Sequence, residues 1–182
     1  MIFTHKIFNF IAFQVSWLVC CMSASTRPWL GVAVVAAWTA CLLINNNRWR
    51  TDLTLMLAAA MLGYVLDSGL VLLGVIAFPP DASIGWPTTW WMVALWVNLA
   101  ATLRYSLSWL LERTHLAAIL GAVAGPMAYY AGYRLEAIII SPQPYALALI
   151  GLEWLLAMPL LLRLAVSLSD SQNRLQEAVL PR

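Results

Sequence analysis

Ionisable side chains, among them Asp67, Arg104, Arg134, Glu136 and Glu153, lie inside stretches that are otherwise apolar. If those stretches cross a membrane, a charge at the centre of one costs about 2.5 to 3.5 kcal/mol, so each must reach water, find a partner or serve a ligand or proton. A rise of about 1.5 Å per residue puts Arg134 and Glu136 at the outer end of their stretch, within reach of water. Asp67 and Asn98 fall at similar depth in the outer half. Arg104 lies about 10 Å from the inner boundary, with Glu153 slightly deeper. The expectation is that Arg104 pairs with Glu153 and that Asp67 is held by Asn98 or by a proton. Such groups either form a satisfied set that fixes helix register or build a ligand, proton or substrate site.

Other chemistries find few residues to carry them. Lys6 is the sole lysine and lies near the N-terminus, away from any site for an intramembrane Schiff base. His5 and His115 have no companions at metal-ligand spacing, and Cys20, Cys21 and Cys41 read as small buried hydrophobes. There is no glycine-rich phosphate loop and no nucleophile elbow. The expectation is therefore no metal and no cofactor. The basic residues are scattered singly, which argues against nucleic acid.

The elements that must position these residues follow from composition. Of 182 residues, 63% are hydrophobic and 10% charged, with mean hydropathy +0.81, whereas soluble domains carry about 25% charged residues. Six apolar stretches, about 7–24, 29–44, 53–78, 89–111, 116–140 and 145–166, are each long enough, or nearly so, to cross as a helix. The predicted fold is an all-α integral membrane bundle of six transmembrane helices over 1–166, joined by connections too short to fold. Residues 167–182 read as a short amphipathic tail at the cytoplasmic surface, with Leu168, Leu175 and Val179 at helical spacing. Placing both termini in the cytoplasm puts Lys6, Arg48, Arg50, Arg113, Arg163, Arg174 and Arg182 inside and leaves Arg27 outside, as the positive-inside rule requires. The first stretch also resembles a cleavable signal peptide ending at Ser23-Ala24-Ser25. Its length and its interruption by Asn9 and Gln14 favour a retained span.

Two stripes bear on packing. Gly121, Gly125, Ala128 and Gly132 advance by four, three and four residues and so share one narrow face, which suits close approach of a neighbouring helix or of a partner membrane protein. On the fourth stretch Trp91, Asn98, Thr102, Tyr105 and Trp109 make a polar and aromatic face that avoids lipid. A pocket is expected between the third, fourth and sixth helices. Asp67, Asn98, Arg104 and Glu153 would form its polar end, and Trp17, Trp96 and Trp154 its apolar part.

Several short motifs run through the chain: Asn9-Phe10, Phe13-Gln14 and Trp17; Asp67-Ser68; Leu95-Trp96, Thr102-Leu103, Ser106-Leu107 and Trp109-Leu110; and Gly121, Gly125-Pro126, Tyr129 and Ala131-Gly132. With these the sequence resembles a family of small bacterial inner-membrane proteins known as a domain of unknown function. The resemblance implies a multi-pass location in the bacterial inner membrane and, for some members, a gene beside enzymes that modify membrane fatty acids. It carries no catalytic residue. The leading expectation is a non-enzymatic protein that binds or moves a small amphiphile, a lipid or fatty acyl chain. Its rivals are an accessory subunit docking a partner membrane enzyme through the glycine stripe, and a lipid-modifying enzyme using a buried carboxylate.

Overall fold

The computed structural model describes residues 5–179, with backbone only at 172, 173 and 175–179. Six α-helices follow one another: α1 (Lys6–Ser23), α2 (Pro28–Ile44), α3 (Trp49–Leu72), α4 (Trp90–Leu103), α5 (Thr114–Arg134) and α6 (Ala146–Val179). Two short strands, β1 (Ile76–Ala77) and β2 (Ile139–Ile140), pair antiparallel, Ile76 with Ile140 and Ala77 with Ile139. Among the described residues the regular secondary structure is thus helical except for this small ribbon. Helices α1, α3 and α5 and the part of α6 over Ala146–Ser171 are long and apolar enough to cross a membrane, while α2 and α4 are apolar but shorter. Large apolar side chains face outward, among them Met61 at 73% and Leu156 at 65% exposure, and Asn9, Asp67 and Asn98 are wholly enclosed. Apolar outside and polar inside is the arrangement that a lipid solvent selects.

Each apolar stretch becomes one helix, but the ends move for identifiable reasons. The third stretch was expected to continue to 78, yet α3 stops at Leu72. Gly74 takes φ +67°, its N–H bonds to the Val71 carbonyl, and the Val75 N–H reaches back to Leu70. This closing motif satisfies the last carbonyls of the helix. The fifth stretch was expected to reach 140, and α5 ends in the same way at Arg134. There Glu136 holds φ +59°, its N–H bonds to Tyr133, and Ala137 reaches back to Gly132. After each closure the chain turns into a strand of the ribbon, which ties the ends of α3 and α5 together. The connection 73–89 is also folded: Thr89 Oγ1 and Trp91 Nε1 both donate to the Ala82 carbonyl, each at 3.0 Å. The sixth helix passes 166 without a break, so the tail continues α6. Of the amphipathic pattern expected there, Leu168 is partly buried against the core, and Leu175 and Val179 lie outside the described side chains.

Helix α4 is the centre of the bundle and packs against α1, α2, α3 and α6. Ten of its fourteen residues are buried, so it is enclosed all round. It ends at Leu103, well before the expected 111, although neither glycine nor proline stops it there. Asn9 of α1 provides the stop: its amide donates to the Ala101 carbonyl at 2.9 Å and its oxygen accepts from Ser106 Oγ at 2.7 Å. The chain then leaves in tight turns and a 3-10 turn at Ser108–Leu110. Tyr105 and Trp109 consequently drop out of the expected stripe, and Trp109 ends up exposed.

Glycines let two tryptophans into the bundle. A Cβ at Gly63 would stand 2.0 Å from Trp96 Cγ, and one at Gly125 would stand 2.3 Å from Trp154 Cγ, whereas one at Gly69 would meet nothing within 4 Å. Gly63→Ala and Gly125→Ala should each destabilise the protein by about 1 to 3 kcal/mol through overpacking. Gly69→Ala should be neutral or stabilise by up to about 1 kcal/mol through helix propensity. Thermal unfolding in a neutral detergent measures all three, and equal effects at the three positions would contradict the packing described.

Candidate functional site

Asp67 sits on α3 with no exposed surface. A carboxylate placed there needs donors from other helices, because the N–H groups of its own helix are already engaged. Trp96 of α4 donates its Nε1–H to one carboxylate oxygen at 2.8 Å, and the Tyr129 hydroxyl of α5 donates to the other. Trp96 in turn stacks on Trp154 of α6, with ring centroids 4.6 Å apart and planes 10° from parallel. Tyr129 meets Trp154 edge-on at 6.5 Å. Gly63 on one side and Gly125 on the other make room for this stacked pair. Four helices therefore converge on one carboxylate and two indoles. Glu153, next to Trp154 in sequence, is buried, and its Oε1 has no hydrogen-bond partner.

The same rings form the wall of a cleft of about 420 Å³ between α1, α4 and α5, which Trp154 of α6 completes. Trp17 and Gln14 come from α1, Trp91 and Trp96 from α4, and Tyr129 and Ala128 from α5. Gln14 and Met127 in the lining are exposed, so the cleft opens to the surroundings of the bundle. Its volume lies within the range of sites that hold small molecules. Asp67 stands one residue behind this wall, joined to it by the hydrogen bonds of Trp96 and Tyr129.

The expected site residues thus divide. Trp17, Trp96 and Trp154 do come together, with Asp67 and Glu153 close behind, but the opening lies between α1, α4 and α5 rather than between the third, fourth and sixth helices. Asn98 does not hold Asp67. It accepts from Trp38 Nε1 and donates to the Phe13 carbonyl, each at 3.0 Å, and so joins α1, α2 and α4. Arg104 does not pair with Glu153. It pairs with Asp52 at 2.7 Å at the opposite end of the bundle, where the side chains of Arg104 and Asp52 are 9% and 3% exposed. The other Asp52 oxygen accepts from Tyr105 and from Asn46. Asp52 opens α3 and was hidden from the sequence reading by its place just outside the apolar run. Tyr129 stands in the middle of the stretch 116–140, where a tyrosine reads equally well as packing.

The glycine stripe also has its neighbour. A Cβ at Gly121 would stand 2.6 Å from the Trp154 carbonyl oxygen, and Gly125 seats the Trp154 ring, so α6 of the same chain already fills this part of the face offered to a partner. Arg134 and Glu136 are exposed where α5 ends. Among the described residues no three His, Cys, Asp or Glu side chains gather as a metal site would need.

Residues 6–160 match the family described as Protein of unknown function (DUF2878). The chain belongs to that family. No curated protein and no solved structure matches it. The matched region of this DUF2878 protein takes in Asn9, the Asp52–Arg104 pair, Asp67 and Trp154, and so includes both polar centres and the cleft.

The buried ion pair makes a testable demand on this DUF2878 protein. Arg104→Met should cost about 3 kcal/mol, because it strands the Asp52 charge. Combining it with Asp52→Asn should cost at least 1 kcal/mol less than the sum of the two single changes. Unfolding of the four proteins in detergent closes the cycle, and additive losses would mean that the two groups do not interact.

Proposed function

We propose that this DUF2878 protein crosses the bacterial inner membrane six times, with both termini in the cytoplasm, and binds or moves a small amphiphile in its aromatic cleft. Six crossings are supported by the way the connections alternate between the two ends of the bundle. The ribbon lies at one end, and the turns carrying Asn46 and Arg104 lie at the other. Lys6, Arg48, Arg50, Arg113 and Arg163 belong to the second end, which supports placing it in the cytoplasm. The family resemblance supports the bacterial inner membrane.

The observation that carries the amphiphile reading is the cleft itself, apolar and aromatic, opening between helices rather than toward either end. An acyl chain entering from the bilayer would leave one apolar surrounding for another, and its head would come to rest near the polar groups behind Trp96 and Tyr129. Such a site gains its selectivity from shape and from a few polar atoms rather than from area alone. The docking alternative has less support, since α6 covers Gly121 and Gly125.

Ala128 lines the cleft without being fully buried. Ala128→Trp should therefore fill the space while leaving the Asp67 hydrogen bonds in place. Native mass spectrometry after mild extraction should find a lipid or acyl chain retained in defined stoichiometry by the wild-type protein, and at least tenfold less by the variant. Equal retention by the two proteins, or an empty wild-type protein, would overturn the proposal.

A further inference from the structure

We infer that the cleft prefers amphiphiles with a positively charged head, primary or quaternary ammonium, over those with a carboxylate or phosphate head. The inference rests on the amphiphile reading and narrows its ligand class.

Two observations carry it. The wall is built from indole and phenol rings, those of Trp17, Trp91, Trp96, Tyr129 and Trp154, but the faces of Trp96 and Trp154 are taken up by each other and by Gly63 and Gly125, so the preference is left to charge. Among the described residues no lysine, arginine or histidine lines the cleft, so an anionic head would find no opposite charge there. The nearest ionisable groups behind the wall are carboxyls. Both oxygens of Asp67 accept hydrogen bonds, the pattern of a carboxylate acting purely as acceptor. Arg104, the arginine that could offset them from within the bundle, is committed to Asp52 at the other end.

The groups that hydrogen-bond to Asp67 are Trp96 and Tyr129, and neither carries a positive charge. A negative charge behind a low-dielectric aromatic wall acts on a head group over several ångströms with little screening. Its effect on affinity is of the order of tenfold, about 1.4 kcal/mol. The chain of the amphiphile would bind through the apolar lining whatever its head, and the head would decide the preference.

The test uses the full chain in a neutral detergent and two probes of equal chain length, a brominated alkyl trimethylammonium and a brominated alkyl carboxylate. Bromine quenches tryptophan fluorescence, and four of the lining residues are tryptophans. The ammonium probe should bind at least about tenfold more tightly than the carboxylate. Asp67→Asn should remove most of that preference by weakening ammonium binding, and the comparison of the two probes on the wild-type chain stands by itself should that variant fail to fold. Ala128→Trp should abolish the saturable part of the quenching by both probes, leaving only that of exposed tryptophans such as Trp86 and Trp109. Equal binding of the two probes, or tighter binding of the carboxylate, would overturn the inference yet leave the amphiphile reading standing so long as Ala128→Trp still abolishes both. Absence of saturable quenching by either probe, or saturable quenching that Ala128→Trp leaves unchanged, would overturn the amphiphile reading and the inference with it.

Discussion

A carboxylate inside a helical bundle has no water to solvate it, and the architecture around Asp67 follows from that constraint. Its two oxygens draw a donor from α4 and a donor from α5. For Trp96 to reach it, α3 must have no side chain at position 63, and for Trp154 to stack on Trp96, α5 must have none at 125. One buried charge thereby sets the mutual placement of α3, α4, α5 and α6. The rings that satisfy the carboxylate also face the cleft, so the same residues serve packing and any ligand that enters.

A second polar centre does comparable work at the other end. Asp52, Arg104, Tyr105 and Asn46 close on one another, and Asn9 takes up the backbone groups left open where α4 stops. Polar side chains in such surroundings are held chiefly because leaving any of them unpaired would be costly. Asn98 acts in the same manner between the two ends, with one hydrogen bond to α2 and one to α1. The structure is thus an apolar bundle crossed at three levels by polar ties, and α4 takes part in all of them.

These ties explain which site residues could be read in advance. Trp17, Trp96, Trp154, Asp67 and Glu153 stood out because each is conspicuous in an apolar stretch, and they gather near the cleft. The partners assigned to them did not hold. Depth along a helix can be counted from residue numbers, but Arg104 and Glu153 at similar depth are matched by nothing except that count. Which helices are neighbours, and which way each is turned about its axis, decides whether two residues at one depth meet. Arg104 turned to Asp52 because α4 ended one residue before it and released the chain.

Composition and periodicity alone determined the class of the protein, the number of helices and their approximate positions, since an apolar run must become a helix wherever water is absent to satisfy its backbone. They also determined that the glycines of α5 would admit a close neighbour. Tertiary structure alone decided that this neighbour is α6, that Asn9 ends α4, that Tyr129 and Trp96 hold Asp67, and that the cleft lies between α1, α4 and α5. The physical reason is the range of the forces involved. Helix formation depends on residues within a few positions of one another, whereas the partner of a buried polar group is whichever donor the packing brings within about 3 Å.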